Sequence, residues 1–262
     1  MSFAPAAGSA APTAIHTNVA GLAQGNFQLL TKGAAISAYY AAPAGKTNLP
    51  VVLVVQEIFG IHEHIKDICR RLGKAGYLAV AANLYERQGD ASAYTDIPKL
   101  ISEVVSKVSD EQVYADLDAC VAWAAKNGGD PKRVGITGFC WGGRLVWMYA
   151  AHNPAVKAAV AWYGKLTTGH GPLIKTMAVD IADKLYAPVL GLYAEKDTGI
   201  SLDSVALMKK RLAAGNENSK ASEIIVYPGA QHGFLADYRP MYDRRAAEDG
   251  WKRLLAWFGK YL

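Results

Sequence analysis

Residues 133–145 read RVGITGFCWGGRL, and three features of that stretch decide the fold. A β-like run, VGITGF, ends at Cys140. A helix-like run opens immediately after it with Gly142 and Gly143. Gly138 and Gly142 flank the cysteine as G-x-C-x-G, the spacing of a nucleophile elbow with cysteine in place of serine. A strand that turns into a helix within one residue forces the corner residue into strained backbone angles. Side chains beside it would clash, so glycines flank it. The corner exposes the sulfur near a helix N-terminus, where the dipole favours a thiolate. It also aims the backbone N–H of Trp141 at the place where an oxyanion would form.

The alternation continues on both sides of the elbow. LPVVLVVQEIFG and YLAVAANLY read as strands buried on both faces. Between them, HEHIKDICRRLGKAGY has helical spacing at Ile65, Ile68, Cys69 and Leu72. DEQVYADLDACVAWAAKNGG is helical, with an acidic first turn and a Gly-Gly stop. After the elbow come strands at VKAAVAWYG, PVLGLYAEKD and SEIIVYPGAQHGF, and a final amphipathic helix, RRAAEDGWKRLLAWFGKYL. Its Trp251 and Trp257 are expected in the core. FQLLTKG and AISAYYAAP predict an antiparallel pair meeting at Lys32-Gly33. Residues 165–187 carry little pattern. The expectation is an α/β fold with a mostly parallel central sheet and helices on both faces.

In such sheets functional groups collect at the carboxyl ends of the strands. Cys140, Asp197, His232 and Glu57 each lie just past a predicted strand. The chain order Cys140, Asp197, His232 is nucleophile, acid, base. His232 would move the proton and Asp197 would fix its tautomer. Asp180 and Asp183 are rival acids, but they fall in the patternless stretch rather than at a strand end.

Composition limits the alternatives. The chain has 262 residues, 51% hydrophobic and 19% charged, which describes a globular protein. Residues 1–23, rich in Ala, Gly, Ser and Pro, are expected as a flexible leader, and residues 24–262 as a single domain. The leader lacks the basic start and apolar core of a secretory signal. No apolar run approaches the ~18–20 residues of a membrane span. A net charge of +5 without a dense basic stripe argues against a nucleic-acid partner. Three scattered cysteines form no disulfide framework, which suits a cytoplasmic setting. Cys69 and Cys120 read as core residues. His62 and His64, two residues apart at a helix start, would not converge on a metal. No metal or cofactor is expected, and no oligomeric interface is readable.

The stretches VVLVVQEIFGIHEHIKDICRRLGKAGYLAVAANLY, GITGFCWGGR, AVAWYG, PVLGLYAEKD and YPGAQHGF resemble the dienelactone hydrolase family, the carboxymethylenebutenolidases. The resemblance implies an α/β-hydrolase fold and a cysteine nucleophile, Cys140, served by His232 and Asp197. It implies that Glu57 helps activate the thiol, and that the Ile58 N–H joins that of Trp141 in the oxyanion hole. It gives Arg87 to a substrate carboxylate and Tyr163 to the pocket wall, with Phe59 and Arg239 as further substrate-binding candidates. The founding members carry a second arginine shortly after the histidine. Here Ala236 is nearest to that place and Arg239 follows three residues later. The implied activity is hydrolysis of small lactones or esters through an acyl-thioester. A general ester or thioester hydrolase, or a non-catalytic small-molecule-binding module on the same fold, stands as the alternative.

Overall fold

A computed structural model describes residues 3–262. In chain order its strands are β1 (Leu22–Thr31), β2 (Ala34–Pro43), β3 (Leu49–Val55), β4 (Leu78–Ala82), β5 (Gly129–Phe139), β6 (Val156–Trp162), β7 (Val189–Ala194) and β8 (Glu223–Tyr227). They form one sheet in the order β1-β2-β4-β3-β5-β6-β7-β8. The hairpin β1–β2 turns at Lys32-Gly33, where Gly33 has φ 77°. β2 lies antiparallel on β4, and the remaining pairs are parallel. Every residue of β4 and β7 is buried, so both faces of the sheet are covered there. Continuous apolar runs are the sequence mark of such strands.

The helices are α1 (Glu63–Lys74), α2 (Ile97–Glu103), α3 (Asp110–Lys126), α4 (Trp141–Ala150), α5 (Ala178–Ile181), α6 (Leu202–Ala213), α7 (Glu217–Lys220) and α8 (Arg244–Tyr261). α3 starts where the Ser109 hydroxyl accepts from the Gln112 N–H at 3.2 Å, satisfying one of the orphan donors of its first turn. Ile65, Ile68, Cys69 and Leu72 of α1 are fully buried. α8 buries Trp257, but Trp251 stands at the edge and is only partly covered, unlike the expectation for it. Among the described residues, no helix is long and apolar enough to cross a membrane.

The N-terminal segment differs from the mobile leader that its small residues suggest. The Ala11 N–H donates to Tyr238 O at 2.8 Å, and the Thr13 hydroxyl to Asp237 O at 2.6 Å. The Thr17 N–H donates to Asp67 Oδ1 of α1 at 2.6 Å. Ala4 and Ala6 are buried. The segment is therefore tied to the Asp237–Tyr238 loop and to Asp67 of α1 through backbone groups and the Thr13 hydroxyl. Small side chains permit that close approach, and composition alone does not register it.

Candidate active site

β5 ends at Phe139 and α4 begins at Trp141, so Cys140 is the whole of the joint. Its backbone sits at φ 55°, ψ −112°, a region that costs a non-glycine residue about 1–3 kcal/mol and persists only where the surroundings dictate it. Those surroundings are visible. The Cys140 N–H donates to Trp162 O at 3.0 Å, and Cys140 O accepts from the Gly143 and Arg144 N–H groups at 3.0 and 3.3 Å. A Cβ on Gly138 would stand 2.7 Å from Gly142 O, and one on Gly142 2.5 Å from Gln56 O. A Cβ on Gly143 would collide with Trp162 O. The first turn of α4 is thus wedged against the ends of β3 and β6, which only glycines permit.

Asp197 follows β7 and His232 follows β8. His232 Nδ1 and Asp197 Oδ2 are 2.6 Å apart, and Asp197 Oδ1 accepts from the Gly199 N–H at 2.8 Å. Burial works against a charged imidazole at His232. The neighbouring Cys140 sulfur and the Asp197 carboxylate outweigh it and push the pKa up to about 10. Asp180 is spent elsewhere, accepting from the Met177 N–H at 2.8 Å at the start of α5.

Glu57, just past β3, is 1% exposed. Its Oε2 accepts from the Tyr238 hydroxyl at 2.7 Å and lies 3.3 Å from His62 Nε2. Burial alone would raise this carboxyl. The hydrogen bond from His62, the nearby His64 and the Tyr238 hydroxyl hold it down at about 2. His62 is itself shifted downward, chiefly by burial, against the pull of Glu57. His62 and His64 stack with ring centroids 6.1 Å apart, and each faces its own carboxylate, Glu57 and Asp237. Among the described residues no group of three or more His, Cys, Asp or Glu side chains is arranged to hold a metal ion.

Around the sulfur lie two buried tyrosines. Tyr163, at φ 37°, sets its ring 5.1 Å from that of His232. Tyr85 packs on Trp141 at 4.8 Å. Both hydroxyls are buried without a hydrogen-bond partner, and both tyrosines lie within electrostatic range of Cys140 and Glu57. Among the described residues, the N–H groups of Ile58 and Trp141 have no protein acceptor. Ile58 and Phe59 are both buried. Arg239 stacks over Phe59, 5.4 Å from the ring centroid, and lies beside Gly233. Its Nε is buried with no partner.

Arg87 is placed differently from its expected role. Its guanidinium makes two bonds to Asp116 of α3, at 2.7 and 2.8 Å. Asp116 is fully buried and also accepts from the Thr31 hydroxyl at 2.7 Å. The arginine is therefore committed to a structural pair rather than held ready for a ligand. Residues 165–187 are anchored by Val179 N–H to Leu166 O at 3.1 Å and Tyr186 N–H to Ala150 O at 2.8 Å. His170 in this stretch is held down to about 4 by burial, then by the charges of Lys165, Arg144 and His232.

Tyr85 and Tyr238 are the site residues that sequence reasoning missed; of the His62–His64 pair it expected one histidine near the site, and His62 is the one that reaches Glu57. Tyr85 had a signal, being two residues before Arg87 at the end of a predicted strand. Tyr238 had none, since its contact with Glu57 spans 181 residues.

The sequence model of the dienelactone hydrolase family matches residues 36–262. A Salmonella typhi protein named "Putative carboxymethylenebutenolidase" is 55% identical over 260 residues, covering 99% of this chain and 95% of its own. The Escherichia coli (strain K12) protein of the same name is 53% identical, with the same coverage. A crystal structure described as "Putative Dienelactone Hydrolase" from Klebsiella pneumoniae superposes with TM-score 0.88 at 54% identity, covering 92% of this chain and 99% of the other.

Proposed function

The chain belongs to the dienelactone hydrolase family, and on that premise we propose that it hydrolyses small lactones or esters through a Cys140–His232–Asp197 triad and an acyl-thioester. The observation that carries this reading is the strained Cys140 corner beside an imidazole paired to Asp197 at 2.6 Å. Nucleophile, base and orienter are the three parts that such catalysis needs.

The steps follow from the residues. Glu57 takes the thiol proton when substrate enters. The thiolate attacks the acyl carbon, a C–S bond forms, and the carbonyl electron pair moves to oxygen. The N–H groups of Ile58 and Trp141 receive that oxyanion. On collapse the acyl C–O bond breaks, and the leaving oxygen takes a proton from the His232 imidazolium. In a lactone it stays tethered to the acyl group. Water then attacks the thioester, His232 takes the water proton, and the sulfur leaves and recovers its own proton from Glu57. An enolate leaving group departs more readily than a simple alkoxide, so enol lactones suit a thiolate better than alkyl esters or amides.

Arg239 is the better anchor for a substrate carboxylate. Among the described residues it pairs with no acid, whereas Arg87 is held by Asp116. Three free cysteines suit a reducing, cytoplasmic setting.

The test is hydrolysis of a carboxylate-bearing enol lactone beside its neutral ester analogue, by wild type and Cys140→Ala. Turnover of the acid by wild type, lost in the variant, is expected. Turnover of only the neutral compound would move the substrate class to general esters. Turnover surviving in Cys140→Ala would remove the cysteine mechanism, and none by wild type would favour a binding module.

A further inference from the structure

Glu57 carries a negative charge in a nearly sealed place, and its two donors fall on the same oxygen. Tyr238, from the loop after His232, donates to Oε2 at 2.7 Å, and His62, the residue capping α1, reaches it at 3.3 Å. Neither bond involves Oε1. The donors are themselves braced. Phe3 stacks on Tyr238 with centroids 5.1 Å apart and rings 16° from parallel. The His62 ring meets the Tyr238 ring edge-on at 5.0 Å, and His64 packs on Tyr238 at 4.9 Å.

We infer that Tyr238 and His62 are positioning residues for Glu57: by holding Oε2 they fix the carboxylate's orientation and keep it ionised, so that Oε1 is the oxygen left to take the Cys140 proton. The inference rests on the role of Glu57 proposed above. A buried carboxylate without donors reverts to the neutral acid, and a neutral acid takes no proton from a thiol. A freely rotating carboxylate would also lose the oriented geometry that proton transfer needs. The groups that face Glu57 are His62 and His64 at the start of α1, Tyr238 from the last loop, and Tyr163 and Tyr85 at the ends of β6 and β4. Only His62 and Tyr238 are hydrogen-bonded to it among the described residues.

The experiment compares pH–rate profiles for the enol lactone. The variants are Tyr238→Phe, His62→Gln, His62→Leu, the Tyr238→Phe/His62→Leu double, and each combined with Glu57→Gln. Removing one donor to a charged group is expected to lower kcat about tenfold, with KM unchanged. His62→Gln, which keeps an N–H donor, should retain more activity than His62→Leu. In the double variant only His64 is left to oppose burial, so an acid limb should enter the profile between about pH 5 and 7 and vanish when Glu57→Gln is added. If the double variant does not fold, Tyr238→Phe alone decides: it should cost nothing further in a Glu57→Gln background. Additive losses there, or a double variant with the wild-type profile, would overturn the inference while leaving the triad intact. Glu57→Gln as fast as wild type would instead remove the role of Glu57 itself, and the inference with it.

Discussion

His232 Nδ1 lies 2.6 Å from Asp197 Oδ2, and that bond sets which ring nitrogen faces Cys140. Asp197→Asn should keep the fold and lower kcat by roughly 10³-fold or more, because the amide stabilises the wrong tautomer. A loss below tenfold in steady-state kinetics would mean that the carboxylate does not orient the base.

The same histidine predicts an alkaline effect. Its pKa is raised from the ordinary 6.5 to about 10. The stability it contributes is therefore full below pH 6.5 and lost as pH climbs through about 10. Burial opposes the shift, and the Cys140 sulfur is the largest contribution in its favour. Cys140→Ala should lower the His232 pKa, bringing the alkaline loss to lower pH. Ring-proton chemical shifts followed across pH would read this directly, and an unchanged value would separate the sulfur from the imidazole's charge.

The two arginines should part in function. Arg87→Ala strips the buried Asp116 of its bidentate partner and should cost about 3 kcal/mol of stability, with KM for acidic and neutral substrates altered alike. Arg239→Ala should leave the melting temperature nearly unchanged and raise KM for the acid alone. Denaturant midpoints alongside kinetics check both, and the reversed pattern would restore Arg87 as the clamp.

At the elbow, Gly142→Ala forces a Cβ to 2.5 Å from Gln56 O. A loss of about 3 kcal/mol is expected, or a melting temperature lower by roughly 6–12 °C. Gly259→Ala, with no atom within 4 Å of the added carbon in α8, should gain about 0.5–1 kcal/mol instead. Cys140→Gly should be more stable than Cys140→Ala, since glycine accepts φ 55°, ψ −112° without strain. Calorimetry on the four proteins would settle the order.

Much of this architecture is legible in the residues. LPVVLVV and YLAVAA announce buried parallel strands because nothing polar interrupts them. The glycines around Cys140 announce a corner because any Cβ there collides with backbone at the ends of β3 or β6 or in α4. Asp197 and His232 sit just beyond strands, where open α/β sheets gather their chemistry. What stayed hidden depends on partners remote in sequence. Arg87 looks like a free cation until Asp116, 29 residues away, comes under it. Tyr238 looks like one more aromatic until the fold carries it to Glu57. The N-terminal segment reads as loose because its ties are backbone N–H groups and two threonine hydroxyls, which no pattern in the sequence singles out.

The unusual angles at residue 140 are imposed by main-chain neighbours, Trp162 O above and the glycines of α4 below, and not by the cysteine side chain. The elbow is accordingly a socket whose shape is independent of what it holds. Exchanging the reactive atom at that single position leaves the surrounding scaffold no reason to rearrange. A lineage using this fold can therefore change its nucleophile in one step and adjust the acid, base and pocket afterwards, with foldability never at stake.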